Sequence, residues 1–285
     1  MALARPTADR SAAARARAVS AAVADWLAQI GAPSAGFYVA ACVGILLTGI
    51  FKGGFGAGPG GIAVVLMTMF ISPADAAGIM LPILCAMDLF SVYAYRRTWS
   101  REHLAIMLPG ALVGIALGAL AFGLLPVNAI RLLLGIIAVT FALNQWLRLT
   151  ERIAARMAAR RGKPGAAAGA FWGGVSGFTS TLAHAGGPPF AIYMLAQKVD
   201  KTLFVGTAAV FFIVINYVKL VPYYFLGQLS VGNLTTALLF APLAPIGVWF
   251  GVWVHRRLSQ KIFLNASYAL LLATGMKLIY DGLTR

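Results

Sequence analysis

Long apolar stretches dominate this chain, and short polar runs separate them. The stretches form two groups of five, with the most polar run, residues 148–165, between the groups. A stretch of about 20 apolar residues is long enough to cross a bilayer as a helix. The pattern predicts an all-α polytopic membrane protein, with apolar stretches at 36–52, 60–71, 76–95, 104–123 and 129–147, then at 167–182, 187–196, 203–225, 233–254 and 262–279.

The two groups resemble each other and predict two five-segment repeats. Gly78 corresponds to Gly206 and Pro109 to Pro242 in this alignment of the halves. In both groups the second stretch, 60–71 or 187–196, is too short to span and follows a Gly-rich break. Short, interrupted segments at matching places in two halves point to the central site of a transporter. Each repeat is therefore expected to contain a broken helix and a short half-helix.

Composition supports a membrane location. Hydrophobic residues make up 60% of the chain and charged residues 11%, whereas a soluble domain carries roughly a quarter of charged residues. Soluble enzymes and free-standing binding modules are therefore excluded. The formal net charge of +15 comes mostly from basic runs between apolar stretches, as in cytoplasmic loops. We expect the lipid bilayer as a partner, and no nucleic acid.

The loop charges predict the orientation of the repeats. Loops 123–128 and 226–233 are uncharged, whereas four loops, at 96–101, 148–163, 198–201 and 256–261, are basic. An odd number of crossings per half would place all the basic loops in the cytoplasm and make the repeats inverted. Four crossings per half, which would expose two basic loops, remain an alternative. The predicted organisation is an Arg/Ala-rich tail at 1–35, a first membrane repeat at 36–147, a basic cytoplasmic linker with a candidate amphipathic helix at 148–165, and a second repeat at 166–285.

The doubled glycines at the two breaks are the first candidate substrate-binding residues. Non-helical backbone persists at membrane depth where it lines a cavity or is buried in protein. The unpaired N–H groups at a helix start favour an anion, and glycine lets these amides approach it closely. Close helix packing is the competing interpretation, and we prefer it for Gly110, Gly114, Gly118, Gly247 and Gly251. The predicted binding glycines are Gly60, Gly61, Gly186 and Gly187.

Ionisable residues inside apolar stretches are the second set of candidates, because they are costly in a membrane and commonly functional. Asp88 and Lys219 lie deep within stretches, and Lys52 and His184 lie at the breaks. We expect the three bases to attract an anion. Asp88 is expected to pair with Lys219, either as a coupling group that exchanges a proton or as a purely structural ion pair.

Other polar residues complete the predicted site. Asn216 and Thr207 are candidate hydrogen-bond donors to the anion. His184 would make protons the coupling ion, although capping of a helix is its alternative role. The sequence shows no metal-ligand spacing and no cofactor motif, so neither a metal nor a cofactor is expected. Its pattern indicates no oligomeric state.

Several of these segments resemble the TauE/SafE family of sulfite exporters. The resemblance runs from about residue 40 to 280 and implies a carrier of the bacterial inner membrane, built from two related halves, that moves sulfite or organosulfur anions outward. It also implies a site at Gly60, Gly61, Gly186 and Gly187. The matching segments are 51–61 (FKGGFGAGPGG), 73–78 (PADAAG), 108–111 (LPGA), 181–189 (TLAHAGGPP) and 274–278 (TGMKL).

These expectations combine into a secondary transporter that works by alternating access between two repeats. The alternative is an ion-coupled uptake permease for a small organic or sulfur oxyanion. A membrane-embedded enzyme is a third class, for which Asp88 with His184 is the candidate catalytic pair; we expect no enzyme.

Overall fold

A computed structural model gives the fold for residues 34–55, 61–161, 165–257 and 260–284. Every regular element in these ranges is a helix, which confirms the all-α prediction for the described part of the chain. Numbered in chain order, the helices are α1 (Ala35–Phe55), α2 (Ile62–Met67), α3 (Pro73–Tyr95), α4 (Arg101–Leu124), α5 (Val127–Leu147), α6 (Leu149–Arg161), α7 (Ala166–Ala183), α8 (Gly187–Ala196), α9 (Lys201–Phe225), α10 (Val231–Phe240), α11 (Leu243–Arg257) and α12 (Gln260–Thr284).

The helices confirm a multi-pass membrane protein. Five of those described, α1, α3, α4, α5 and α9, are long and apolar enough to cross a bilayer. A sixth candidate span is the pair α10 and α11, which are bent by 44° relative to each other. The division into two inverted repeats stays a prediction.

Both half-helices that the sequence predicts are short. Helix α2 has 6 residues and α8 has 10, so neither can span a membrane alone. Helix α2 begins after Gly61, and α8 begins after Gly186 with Pro188 and Pro189 in its first turn. Gly60 lies outside the described residues, as does most of the N-terminal tail.

The ninth apolar stretch, predicted as one segment, is divided into α10 and α11. Pro242 and Pro245 lie within one helical turn, and each lacks the N–H that a helix interior needs. At the break, backbone hydrogen bonds span three residues instead of the four of an α-helix. They run from Ala241 N to the Leu238 carbonyl at 3.2 Å and from Ala244 N to the Ala241 carbonyl at 3.0 Å. The matching Pro109 stands alone, and α4 continues through it.

The polar linker contains helix α6, in agreement with the helix predicted there. Arg148 ends α5 in the left-handed conformation, with a φ of 51°. Its carbonyl then accepts a hydrogen bond from Arg152 N at 3.0 Å in the following helix. The linker therefore starts with a sharp change of direction at Arg148.

The most extensive helix contacts join the two predicted halves. Helix α4 packs on α7, α11 on α1, α12 on α5, and α9 on α3. A helix from the fourth apolar stretch of each half thus packs on the first helix of the other half. The halves are interleaved and are not two separate bundles.

Small residues make these pairings close. A Cβ atom on residue 110 would lie 2.7 Å from the carbonyl carbon of Ala170 in α7, and one on residue 251 would lie 2.8 Å from the Cα atom of Ile50 in α1. Both distances are shorter than Cβ contacts in proteins. The packing interpretation of the glycines in α4 and α11 is confirmed.

Buried apolar side chains form two cores. The smaller core joins α4, α8 and α9 through residues such as Met107, Phe190 and Phe211. The larger core joins α1, α2, α3, α5, α10, α11 and α12, and it also includes Phe122 of α4, the end of α7, Ala185 of the second break and Tyr223 of α9. Polar side chains from both groups of helices meet between these cores.

Candidate functional site

A buried group of polar side chains lies where α1, α3, α7 and α9 meet. We call this group the charge cluster. Its members carry two amines, one carboxylate, one imidazole, one amide and one hydroxyl. They are Lys52, Asp88, Ser180, His184, Asn216 and Lys219.

Asp88 lies at one end of the charge cluster, on the face of α3 that also buries Leu81 and Leu84. Its carboxylate Oδ1 is 2.6 Å from the Nζ atom of Lys52, and Asn216 donates from Nδ2 to Oδ2 at 2.6 Å. Both carboxylate oxygens are therefore engaged. The Asp88 side chain is fully buried, whereas the Lys52 side chain keeps 12% exposure, so Lys52 is the member through which a solute would first meet the cluster.

Lys219 lies at the other end and is fully buried. Its Nζ atom donates to the Ser180 carbonyl and to Ser180 Oγ, both at 3.0 Å, and contacts His184 Nδ1 at 2.8 Å. No carboxylate oxygen of the described residues lies within 4.0 Å of this amine. Three neutral groups thus surround Lys219.

His184 connects Lys219 to α3. The residue ends α7 in the left-handed conformation, with a φ of 50°, and its backbone N–H donates to the Ser180 carbonyl at 3.0 Å. This turn directs the ring so that Nε2 lies 3.0 Å from the carbonyl oxygen of Ala77. Because a carbonyl only accepts, Nε2 carries the proton and Nδ1 is free to accept from Lys219.

Helix α9 joins the two ends of the charge cluster. Asn216 and Lys219 are three residues apart, so their side chains lie on the same helix face. The next residue on this face, Tyr223, is fully buried and donates its hydroxyl to the Thr181 carbonyl at 2.6 Å. One polar face of α9 therefore runs along the site.

The predicted direct pair between Asp88 and Lys219 is not formed. Asp88 takes Lys52 as its partner, and Lys219 takes Ser180 and His184. The prediction followed the correspondence between the halves, whereas the pairing depends on how closely the end of α1 packs on α3. Both residues nevertheless belong to the same buried cluster.

Thr207, a predicted donor to the anion, lies outside the charge cluster. Its hydroxyl donates to the Leu203 carbonyl at 2.7 Å and accepts from the backbone N–H of Ser100 at 3.0 Å. These contacts hold the start of α4 against α9. Neither of these hydrogen bonds connects Thr207 to the charge cluster, so the structure gives it a packing role.

Gly61, the last residue of the first break, lies beside the second break. A Cβ atom on Gly61 would contact the Ala183 carbonyl oxygen and would lie 3.2 Å from Cβ of Ala185. Gly186 is buried, and its carbonyl accepts from Ser176 Oγ at 2.7 Å. The start of α2 and the start of α8 therefore meet next to His184.

The amides at the breaks are fewer than the sequence suggests. Pro188 and Pro189 have no N–H, so two of the donors of the first turn of α8 are missing. Helix α2 is so short that few peptide dipoles add up along it. Most of the positive potential at this place therefore comes from the two lysines.

A small cavity lies between the breaks and the larger core. Its volume is about 10 Å³, and Gly61, Phe141, Ala183, Ala185 and Leu271 are among the residues that line it. Such a space holds about one water molecule. This cavity is therefore too small for a sulfur oxyanion.

Two further partners complete the site, and one of them, the Ala77 carbonyl, was not predicted. The Ser180 hydroxyl binds Lys219, and the Ala77 carbonyl binds His184. Ser180 carries a weak signal, a hydroxyl one turn before His184. A backbone carbonyl has no sequence signal at all, because every residue has one.

Comparison with protein families gives a match to a family described as Sulfite exporter TauE/SafE, over residues 41–278. Comparisons with curated proteins and with solved structures give no match. The matched range contains both breaks and all members of the charge cluster. It also covers α3, α4, α5 and α9 and most of α1, helices that are long and apolar enough to cross a bilayer.

Proposed function

Because the chain belongs to the sulfite exporter TauE/SafE family, we propose that it exports sulfite or an organosulfonate across the bacterial inner membrane. The family indicates a membrane transporter of sulfur anions. The proposed binding residues are those of the charge cluster together with the glycines predicted at the breaks, Gly60, Gly61, Gly186 and Gly187.

The observation that carries this proposal is the surrounding of Lys219. A fully buried amine is costly in a membrane when its three partners are neutral and no carboxylate of the described residues lies within 4.0 Å of it. An anion next to Lys219 would supply the missing negative charge. Lys52 and Asn216 would provide further donors for its oxygens, since ionised donors form the stronger hydrogen bonds.

We propose alternating access between two bodies that differ from the sequence halves, each built on one close helix pair. The first body is α4, α7, α8 and α9, joined by the smaller core, and the second is α1, α2, α3, α10 and α11. The contact of α9 with α3 lies between the bodies and has to loosen when they separate. Two bonds of the charge cluster join the bodies, from Asn216 to Asp88 and from His184 to Ala77. We propose that an anion competes for these groups and that the bodies separate on one side at a time.

The membrane potential is sufficient to drive the export. Each negative charge that leaves a cell with a negative interior gains about 2.3 kcal/mol per 100 mV. A second ion is therefore not required. Protons stay a candidate coupling ion, although a proton added to His184 would place two donors, Nδ1 and Lys219 Nζ, opposite each other.

Efflux from proteoliposomes tests the proposal. Radiolabelled sulfite is trapped inside vesicles, and a potassium diffusion potential is applied with a negative interior. Vesicles with the wild-type chain should release sulfite faster as the membrane potential grows. Vesicles with Lys219→Gln should release it at the same rate as sulfite-loaded vesicles that contain no protein. Lys277→Gln is the matched control, because Lys277 pairs with Asp281 on α12 outside the charge cluster.

Other outcomes would contradict the proposal. Sulfite flux that requires an imposed sodium or proton gradient, and runs inward, would support the uptake permease. A Lys219→Gln variant with wild-type efflux would remove the charge cluster from the mechanism. The enzyme alternative has no geometric support, since Asp88 and His184 each bind other groups and are not within ion-pair distance of one another.

A further inference from the structure

The net charge of the charge cluster determines which charge on a bound anion would neutralise the site. Asp88 accepts from an amine and from an amide, as an ionised carboxylate does. Lys52 faces this carboxylate. Lys219 faces three groups able to accept, which matches the three N–H donors of an ammonium.

His184 contributes no charge to this sum. Its Nε2 donates to the Ala77 carbonyl, and its Nδ1 faces the Lys219 amine at 2.8 Å. One proton lies between Nδ1 and Nζ, and it belongs to the lysine because an alkylammonium is a much weaker acid than an imidazolium. Two ammonium groups and one carboxylate leave the charge cluster with a net charge of +1.

A single negative charge neutralises this site. From the count of charges we infer that the carrier selects singly charged oxyanions, with a sulfonate or hydrogen sulfite headgroup, over doubly charged ones of similar size. This inference rests on the proposed function and narrows its substrate class. A dianion would leave the buried site with an uncompensated charge of −1, which is as unfavourable in a membrane as the unfilled site.

Methanesulfonate and sulfate are suitable probes, because both are small tetrahedral sulfur oxyanions and differ in charge. Binding is measured on the purified full-length chain in detergent by titration calorimetry and by the shift of thermal unfolding. We expect the wild-type chain to bind methanesulfonate at least tenfold more tightly than sulfate. Binding of sulfite is also measured as a function of pH. The affinity should rise as the pH is lowered, because hydrogen sulfite is the singly charged form.

Charge variants make the test specific. Asp88→Asn raises the cluster charge to +2 while it keeps the size of the side chain and an oxygen that accepts from Lys52. This variant should reverse the preference and bind sulfate at least tenfold more tightly than methanesulfonate. Lys52→Gln combined with Asp88→Asn restores +1 through Lys219 alone and should restore the preference for methanesulfonate. Asp281→Asn is the control for a carboxylate paired with a lysine outside the charge cluster.

The outcomes distinguish this inference from the function on which it rests. Sulfate that binds the wild-type chain as tightly as methanesulfonate would overturn the charge rule and leave anion transport intact. An unchanged preference in folded Asp88→Asn would also overturn it. The proposed function itself fails if the folded wild-type chain does not bind or transport any of the three anions, methanesulfonate, sulfate and sulfite. Should Asp88→Asn not fold, the double variant against wild type decides the charge rule, because both carry +1 and must share one preference.

Discussion

His184 is the residue on which both ends of the site depend. Its left-handed backbone ends α7, its ring accepts from Lys219, and the other ring nitrogen reaches α3. A buried donor left without an acceptor costs about 1–3 kcal/mol. The side chain at this position therefore affects the stability of the fold as well as the charge of the site.

Replacing His184 with leucine should lower the stability of the chain and its affinity for methanesulfonate. Leucine would remove one of the three acceptors of the Lys219 ammonium and the imidazole donor to the Ala77 carbonyl, and a buried hydrogen bond that is lost costs about 1–3 kcal/mol. Asparagine should retain more of both properties, because its amide oxygen takes the place of Nδ1 and asparagine tolerates the left-handed conformation. Thermal unfolding without ligand and calorimetric titration measure the two effects. Equal stability of His184→Leu and wild type would show that these bonds contribute nothing.

At this scale the sequence reveals which residues matter but not their partners. Lys52, Asp88, His184 and Lys219 stand out because charge is rare inside apolar stretches, and all four meet in the charge cluster. The pairing of Asp88 with Lys52 depends on the packing of α1 on α3, and the two chain segments are 36 residues apart (88 − 52 = 36). No local sequence pattern predicts a contact between residues that are so far apart along the chain.

Single helices in this fold are positioned by glycines at which two backbones touch. Gly110 is the clearest case, since any side chain there would enter the space of Ala170 on α7. Gly232 on α10 provides the contrast, because a Cβ atom there would have no neighbour within 4 Å among the described residues.

The same substitution should therefore have opposite effects at these two glycines. Gly110→Ala forces α4 away from α7 and should destabilise the chain by about 1–3 kcal/mol, as overpacking does. Gly232→Ala meets no atom and should leave stability unchanged or raise it by up to about 1 kcal/mol, because alanine favours a helix. Thermal unfolding of both variants in the same detergent gives the comparison. A Gly110→Ala variant as stable as Gly232→Ala would contradict the close packing of α4 on α7.

The prolines show how far a sequence predicts single elements. The short helices α2 and α8 follow from their length and from the glycines before them. The sequence correspondence of Pro109 with Pro242, by contrast, suggests equal behaviour, yet only the second divides a helix. The difference is Pro245, which removes a second N–H from the same turn. Helix breaks thus depend on neighbouring residues as well as on the proline itself.

At the scale of the whole molecule, the interleaved halves limit which parts can move. The pairs of α4 with α7 and of α1 with α11 are held by backbone contacts at glycines. Close-packed interfaces of this kind do not slide without loss of contact. Movement of one sequence half against the other would separate both pairs. A sequence can predict that two related halves exist, but their exchange of helices arises only in the folded chain.

Spin-label distances can test the two bodies directly. Cys42 and Cys85 are first replaced with alanine, and this variant must still bind methanesulfonate. Labels at Leu120 on α4 and Phe171 on α7 report within the first body, and labels at Leu120 and Trp249 on α11 report between the bodies. All three side chains are exposed on the outside of the helices, so the labels leave the packing intact.

Addition of methanesulfonate should shift the distance distribution between Leu120 and Trp249 and leave that between Leu120 and Phe171 unchanged. The reason is that an anion competes for Asn216 and His184, whose bonds to Asp88 and Ala77 hold the bodies together. Lys219→Gln, which should not bind the anion, is expected to show no shift in either pair. If the distance between Leu120 and Phe171 changes as much as that between Leu120 and Trp249, the proposed division into two bodies is wrong. The sequence halves would then describe the moving parts better.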